Sequence, residues 1–207
     1  MHKISKFIVV VIAASTLMSV PAMAGNGFNT TLSQPLSQPV KVEVSLSESL
    51  AHRANNLPKK LSMRNSSGRL NSGFSSNGFY GEKDLQKLQD RLLKKLTQRF
   101  TKYGVSQSDV ASATLKVTIE DARNNRPTFE QISREVGLSQ QSFANGGAEI
   151  SAVLVSADGT ELGTMEYSFF ENNIEDAYFS GTWSDANRSI DRFAKRAAKT
   201  LSEPSRS

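Results

Sequence analysis

Cysteine is absent from the 207 residues of this chain. The absence excludes disulfides, a thiol nucleophile and thiolate metal sites. It also excludes the lipid anchor of bacterial lipoproteins, which is attached to a cysteine. Long hydrophobic runs are scarce too, because the one clear apolar stretch lies at the N-terminus, from Phe7 to Val20. We therefore expect at most a peripheral contact between the remainder of the chain and a membrane.

The first 24 residues have the pattern of a cleaved secretory signal peptide. Lys3 and Lys6 precede the apolar run, and Ala22-Met23-Ala24 supplies small residues before Gly25. The alternative is an uncleaved membrane anchor, but 14 apolar residues are fewer than the roughly 20 that a spanning helix needs. The pattern predicts export to the periplasm, with secretion as the alternative.

Catalytic motifs are missing as well. His2 leaves with the predicted leader, so His52 alone would have to serve a histidine metal site or a Ser/His/Asp triad. No glycine-rich loop is followed by Lys-Ser or Lys-Thr, and no nucleophile elbow is present. We expect no catalytic residues, no metal and no cofactor, and hence a protein that is not an enzyme.

Residues 25–39 form a polar arm with a doubled Leu-Ser-Gln-Pro unit, and such a sequence predicts a flexible linker. Residues 40–203 are expected to form one domain, and 204–207 a tail. Within the domain, residues 49–81 are rich in Ser, Asn and Gly and carry many basic side chains. Such a composition has too little apolar surface to offset the entropy of ordering, so we expect a long flexible basic loop there.

Hydrophobic periodicity predicts the regular elements of the domain. Val40 to Leu46 alternates as a strand, and Glu82 to Tyr103 carries an apolar stripe at helical spacing. A strand at 113–121, a capping box at Thr128 and a hairpin at 148–170 around Asp158-Gly159 follow, then a last helix capped by Ser184. The order β-α-β-β-β-α predicts an α+β two-layer sandwich, with two main helices on one face of a mixed four-stranded sheet.

A mild positive charge is the main hint of a binding surface. The formal net charge is +5 and falls by two when Lys3 and Lys6 leave with the leader, which is compatible with an anionic envelope ligand. The alternatives are an ordinary solvated loop and a packing role for the single Trp. The candidate binding residues are Arg53, Lys59, Lys60, Arg64, Arg69, Arg126 and Trp183.

Several short motifs resemble those of proteobacterial envelope proteins, many of them lipoproteins. The motifs are Asn125-Arg126-Pro127-Thr128, Gly146-Gly147-Ala148, Asp158-Gly159, Thr182-Trp183-Ser184-Asp185-Ala186 and Asp191-Arg192-Phe193-Ala194. The element order is distantly similar to that of the curli-secretion lipoprotein and of ABC-transporter auxiliary domains. The resemblance implies an accessory or assembly role, with no catalytic residues to carry over. The missing cysteine departs from the lipoprotein pattern.

Two hypotheses follow from these patterns. The first is a periplasmic, non-enzymatic accessory protein that binds another component of the cell envelope. The second is a binder or sensor of an anionic small molecule or glycolipid, which would use the basic loop. Neither needs a nucleic acid, and the sequence leaves the oligomeric state open.

Overall fold

The computed structural model describes residues 27–32, 35–58, 73–178 and 180–202, and everything below concerns these residues. The described residues form five strands and six helices. Their bounds are β1 Gly27–Thr30, β2 Val40–Leu46, α1 Glu48–His52, α2 Phe74–Asn77, α3 Glu82–Tyr103, β3 Ala113–Arg123, α4 Phe129–Arg134, β4 Gly147–Ser156, β5 Glu161–Phe170, α5 Ile174–Ala177 and α6 Ser184–Ser202.

One open, mixed sheet carries the fold, and its strand order is β1-β5-β4-β3-β2. Strands β2 and β3 are parallel, as expected for two strands joined through a helix, and the other neighbours are antiparallel. The predicted hairpin is confirmed, because β4 and β5 pair across a turn in which Gly159 has φ of +87°. The α+β class predicted from the sequence is therefore confirmed.

The sheet has five strands where the sequence predicted four. The additional strand, β1, comes from the segment expected to be a linker, and it pairs Phe28 with Tyr167 at the edge of the sheet. Four residues, Gly-Phe-Asn-Thr, are too few to show an alternating pattern. The phenyl ring of Phe28 packs against the core, so tertiary contact orders a segment that its composition alone does not.

The structure also differs from the expected basic loop at both of its ends. Ser47 caps the short helix α1, whose Leu50 is completely buried, and α2 follows at the other end. Residues 59–72 lie outside the described residues. The apolar side chains that order these ends are isolated in the sequence, so they show no hydrophobic periodicity from which a helix could be predicted.

The two long helices cover one face of the sheet. Helix α3 buries Leu85, Leu88, Leu92, Leu96 and Phe100, and α6 buries a stripe that includes Ile190, Phe193 and Leu201. Each buried Leu or Phe stabilises the fold by about 1.5–3 kcal/mol through removal of apolar area from water. Gly104 ends α3 in the left-handed conformation, with φ of +74°.

Helix α6 begins one residue earlier than expected, because Ser184 was predicted to cap the helix rather than to belong to it. Ser184 is its first helical residue, and the Ser184 hydroxyl oxygen accepts a hydrogen bond from the N–H of Gly181 at 2.8 Å. Thr128 behaves as predicted, because its side chain and that of Gln131 form a complete capping box at α4. Across the described ranges, no helix combines the length and the apolar character needed to cross a membrane.

Candidate functional site

Several connections between strands and helices meet at one end of the sheet. Arg123 at the end of β3 pairs with Gly147 at the start of β4, and Gly147 pairs with Phe170 at the end of β5. The segments 124–146 and 171–183 therefore leave the sheet at the same end of its strands. Together with residues 73–81, which contact them, we call their described residues the loop end.

A reciprocal pair of side chains joins the segments 124–146 and 171–183 to the first turn of α6. The N–H of Asp185, in the first turn of α6, donates to Asn125 Oδ1 at 2.9 Å, and Asn125 Nδ2 donates back to the Asp185 carboxylate. That carboxylate also accepts from the N–H of Gly146 at 3.3 Å, and the N–H of Asn125 donates to the carbonyl of Thr182 at 2.7 Å. Both side chains are almost completely buried. We call this arrangement the Asn125–Asp185 clamp.

Glycine at position 146 is required by the clamp. A Cβ atom there would lie 2.6 Å from Asn125 Oδ1, closer than non-bonded atoms approach. Three of the five motifs that carry the resemblance to envelope proteins thus meet at a single point, since they supply Asn125, Gly146 and Asp185. Their common role in this chain is to fix the connections to one another.

Arg126 organises the next layer of the loop end. Its guanidinium donates to the carbonyls of Ser180 at 3.1 Å and Gln141 at 2.7 Å, and also to the carbonyl of Tyr178. Its centre lies 5.4 Å from the centroid of the Phe143 ring. The donors of Arg126 are therefore engaged within the protein, although the same side chain lines an open recess of about 680 Å³.

Asn124 and Gln131 tie α2 to the same end. Asn124 Nδ2 donates to Gln131 Oε1 at 2.6 Å, and Gln131 Nε2 donates to the carbonyls of Phe74 at 2.7 Å and Gly78 at 2.9 Å. Both residues are fully buried. These buried hydrogen bonds restrain the segments that they join, and Asn124 Oδ1 is the one atom of the two amides that has no hydrogen-bond partner among the described residues.

The other described candidates, Arg53 and Trp183, are also held inside the protein. Arg53 is 8% exposed, forms an ion pair with Asp121 and lies over the ring of Tyr80. Trp183 is 7% exposed and packs edge-on against Tyr80, with ring centroids 5.4 Å apart. Burial raises the pKa of the Tyr80 phenol. The candidates Lys59, Lys60, Arg64 and Arg69 lie outside the described residues.

Large exposed hydrophobic side chains are concentrated at the loop end. Val136 is 98% exposed and Phe129 is 78% exposed, and Phe143 stacks edge-on against Tyr178 with centroids 5.6 Å apart. Sequence reasoning missed this group because its members lie in short segments without a period. The loop end carries Phe129, Val136, Phe143, Ile174 and Tyr178, whereas the other exposed large hydrophobics of the described residues are Leu93, Val110 and Leu162.

A second surface lies between α3 and α6, where basic side chains from both helices line a cleft of about 470 Å³. Asp191 stands among them and accepts from Arg91 at 3.0 Å, while Lys95 lies 3.5 Å away. Arg91 and Arg99 recur at helical spacing in α3, whereas the contribution of α6 depends on how the two helices pack. The charged residues that line the cleft are Arg91, Arg99, Arg188, Asp191, Arg192 and Lys195. We call this surface the basic cleft.

Comparisons with known proteins give only distant likenesses. No protein-family model matches the chain, and no curated protein matches it. A PelC dodecamer from Paraburkholderia phytofirmans is 7% identical with a TM-score of 0.47, covering 87% of this chain and all of that one. A minor lipoprotein from Acinetobacter baumannii is 11% identical with a TM-score of 0.32, covering 79% of this chain and 91% of that one. Likenesses this low assign neither a family nor a function to the chain.

Proposed function

We propose that this chain is a periplasmic, non-enzymatic accessory protein that binds another protein of the cell envelope through its loop end. The observation that supports the proposal is the set of exposed large hydrophobic side chains at the loop end, whose segments are held together by buried hydrogen bonds. Phe129 and Val136 place most of their surface in water, which costs free energy unless a partner covers them. The signal peptide predicted for residues 1–24 supports a periplasmic location.

The order of the loop end favours binding with little loss of conformational freedom. The Asn125–Asp185 clamp and the contacts of Arg126 hold the segments that carry the exposed side chains. A surface organised before binding loses less entropy when it binds. Aromatic side chains such as Phe143 and Tyr178 beside an arginine are the composition typical of energetic centres in protein interfaces.

The charges around the apolar group favour a protein over a lipid surface. Glu130, Glu175 and Asp176 are exposed around it, and Arg134 is the one exposed cation among its near neighbours in sequence. An anionic bilayer would repel such a rim, whereas apolar side chains surrounded by basic groups would complement it. The expected partner is therefore a protein with a mainly apolar site and a basic margin.

Crosslinking in intact cells, followed by recovery of the protein, tests the proposal. The double variant Phe129→Ser and Val136→Ser should recover much less partner than the unchanged protein. The matched control is Val110→Ser with Leu162→Ser, which removes exposed apolar surface from other parts of the molecule. Equal recovery by both double variants, or no partner with the unchanged protein, would contradict the proposal.

A further inference from the structure

We infer that the basic cleft between α3 and α6 is a binding site for ligands that carry phosphate groups. The cleft is formed by helix faces, and the loop end is formed by connections, so this inference does not rest on the proposed function. The cleft is a second candidate anion-binding surface beside the basic loop expected from the sequence.

The cleft has a large excess of positive charge. Five cationic side chains and one carboxylate line it. Asp191 already interacts with Arg91 and with Lys95, which lies beside the cleft. Arg188 is 3.6 Å from both Glu171 and Asp185, neither of which lines the cleft. Among the described residues, no carboxylate forms an ion pair with Arg99, Arg192 or Lys195.

Such a distribution is unfavourable without a ligand. Arg91, Lys95 and Arg99 follow one another at intervals of four on α3, as do Arg188 and Arg192 on α6. Like charges at this spacing destabilise a helix by a few tenths of a kcal/mol per pair. An ordinary solvated face carries both signs in similar numbers, whereas here five cations line the cleft with one carboxylate. A bound anion would offset their repulsion.

The chemistry of the side chains selects phosphate. Four of the five cations are arginines, whose planar fork matches phosphate oxygens with paired hydrogen bonds. A phosphate monoester carries about 1.5 to 2 negative charges, so it compensates the cleft better than a single carboxylate does. The first turn of α6 contributes Ser184 and Asn187 to the lining, and the helix dipole adds partial positive charge there.

The length of the cleft indicates more than one phosphate. Arg91 and Arg99 are eight residues apart, which corresponds to about 12 Å along a helix. Arg188 and Lys195 extend over about 10 Å on α6 by the same rise. A ligand with two or more phosphates in a row, whether free or part of a glycolipid or lipid surface, would reach both ends.

Calorimetric titration with sodium tripolyphosphate tests the inference on protein expressed from the full chain. The double variant Arg99→Glu and Lys195→Glu reverses two cations that lack ion pairs, and it should weaken binding by about tenfold or more. The control Lys83→Glu with Lys116→Glu changes the net charge equally, on an exposed turn of α3 and on the sheet face away from the helices. Control binding should stay within about twofold of the unchanged protein.

Flotation with phosphatidylcholine vesicles, with and without phosphatidylglycerol, distinguishes a lipid source from a soluble one. Cleft-dependent binding to either the anionic vesicles or tripolyphosphate supports the inference and identifies the source. Binding to neither overturns it. An equal loss in the cleft and control variants also overturns it, because that result would reflect net charge alone.

Discussion

At the scale of single residues, the most distinctive motifs of the chain supply buried hydrogen bonds that hold its connections together. Asn125 and Asp185 are 60 positions apart, yet each satisfies hydrogen-bonding groups of the other that would otherwise be buried without a partner. A buried carboxylate is tolerated only when it accepts several hydrogen bonds. The Asp185 carboxylate has the Asn125 amide, the Gly146 N–H and the nearby Arg188 guanidinium.

Replacing Asn125 by Ala should therefore destabilise the protein by about 2–4 kcal/mol. The change leaves the Asp185 carboxylate short of a donor and the first turn of α6 without its acceptor. Urea unfolding followed by circular dichroism measures the effect. Asn172→Ala, at an exposed turn position, is the control and should change the free energy of unfolding by about 0.5 kcal/mol or less. Similar values for the two variants would show that the clamp is not a stabilising element.

A second residue-scale prediction concerns Glu149 on the sheet face opposite the helices. Partial burial, together with the negative charges of Asp121, Glu120 and Glu166, raises the pKa of Glu149. Folding therefore favours the protonated form. Between the unfolded and the folded pKa the folded protein binds more protons, so stability falls as the pH rises through that interval.

Glu149→Gln should consequently stabilise the protein near pH 7, by about 1 kcal/mol or less, and have little effect near pH 4. Unfolding free energies at the two pH values provide the measurement. Glu161→Gln, an exposed change at the end of the hairpin, controls for the loss of one negative charge. A Glu149→Gln effect that is larger at the lower pH would have the wrong sign for this account.

At the scale of elements, periodic segments were predictable and short ones were not. The helices α3 and α6 and the strands β2 to β5 follow from apolar spacing, because each buries one continuous face. Strand β1 and helices α1 and α2 have too few residues to show a period, and contacts such as that of Phe28 with the core order them. The loop end was unpredictable for the same reason. Its position depends on pairing among β3, β4 and β5, which brings distant segments to one edge.

The basic cleft illustrates a partial prediction at this scale. The basic residues of α3 recur at helical spacing in the sequence, but the junction of α3 with α6 depends on helix packing. Asp191→Asn should strengthen tripolyphosphate binding severalfold, because it removes the one carboxylate that lines the cleft. Its effect on stability should be about 1 kcal/mol or less, since the ion pairs of Asp191 are partly exposed. Weaker binding by Asp191→Asn would argue that this carboxylate orients the cations for the ligand.

At the scale of the whole molecule, two surfaces of opposite character lie on one small fold. The loop end is apolar with an acidic rim, and the basic cleft is lined mainly by arginine. Such an arrangement suits a protein that brings a protein partner and an anionic envelope component together. The sheet and its two helices serve as the rigid base for both surfaces.

Export of the protein is a prediction that concerns the whole molecule, and it depends on the predicted signal peptide at residues 1–24. Intact mass measurement of protein recovered from the periplasmic fraction should give a chain that begins at Gly25, as the small residues before it predict. A change of Ala24 to a bulky residue such as Phe should slow cleavage and leave the longer form in the membrane fraction. Full-length protein in the cytosol would contradict the envelope role.

The most direct test of the central claim is photocrosslinking in living cells from single positions of the surface. A photoreactive phenylalanine analogue placed at position 129 or 136 should form an adduct with the same envelope protein. The same analogue at position 110 or 162, which are also exposed but lie away from the loop end, should form none with that partner. Adducts of one mass from all four positions, or no adduct from 129 and 136, would contradict the claim that the loop end is the binding surface.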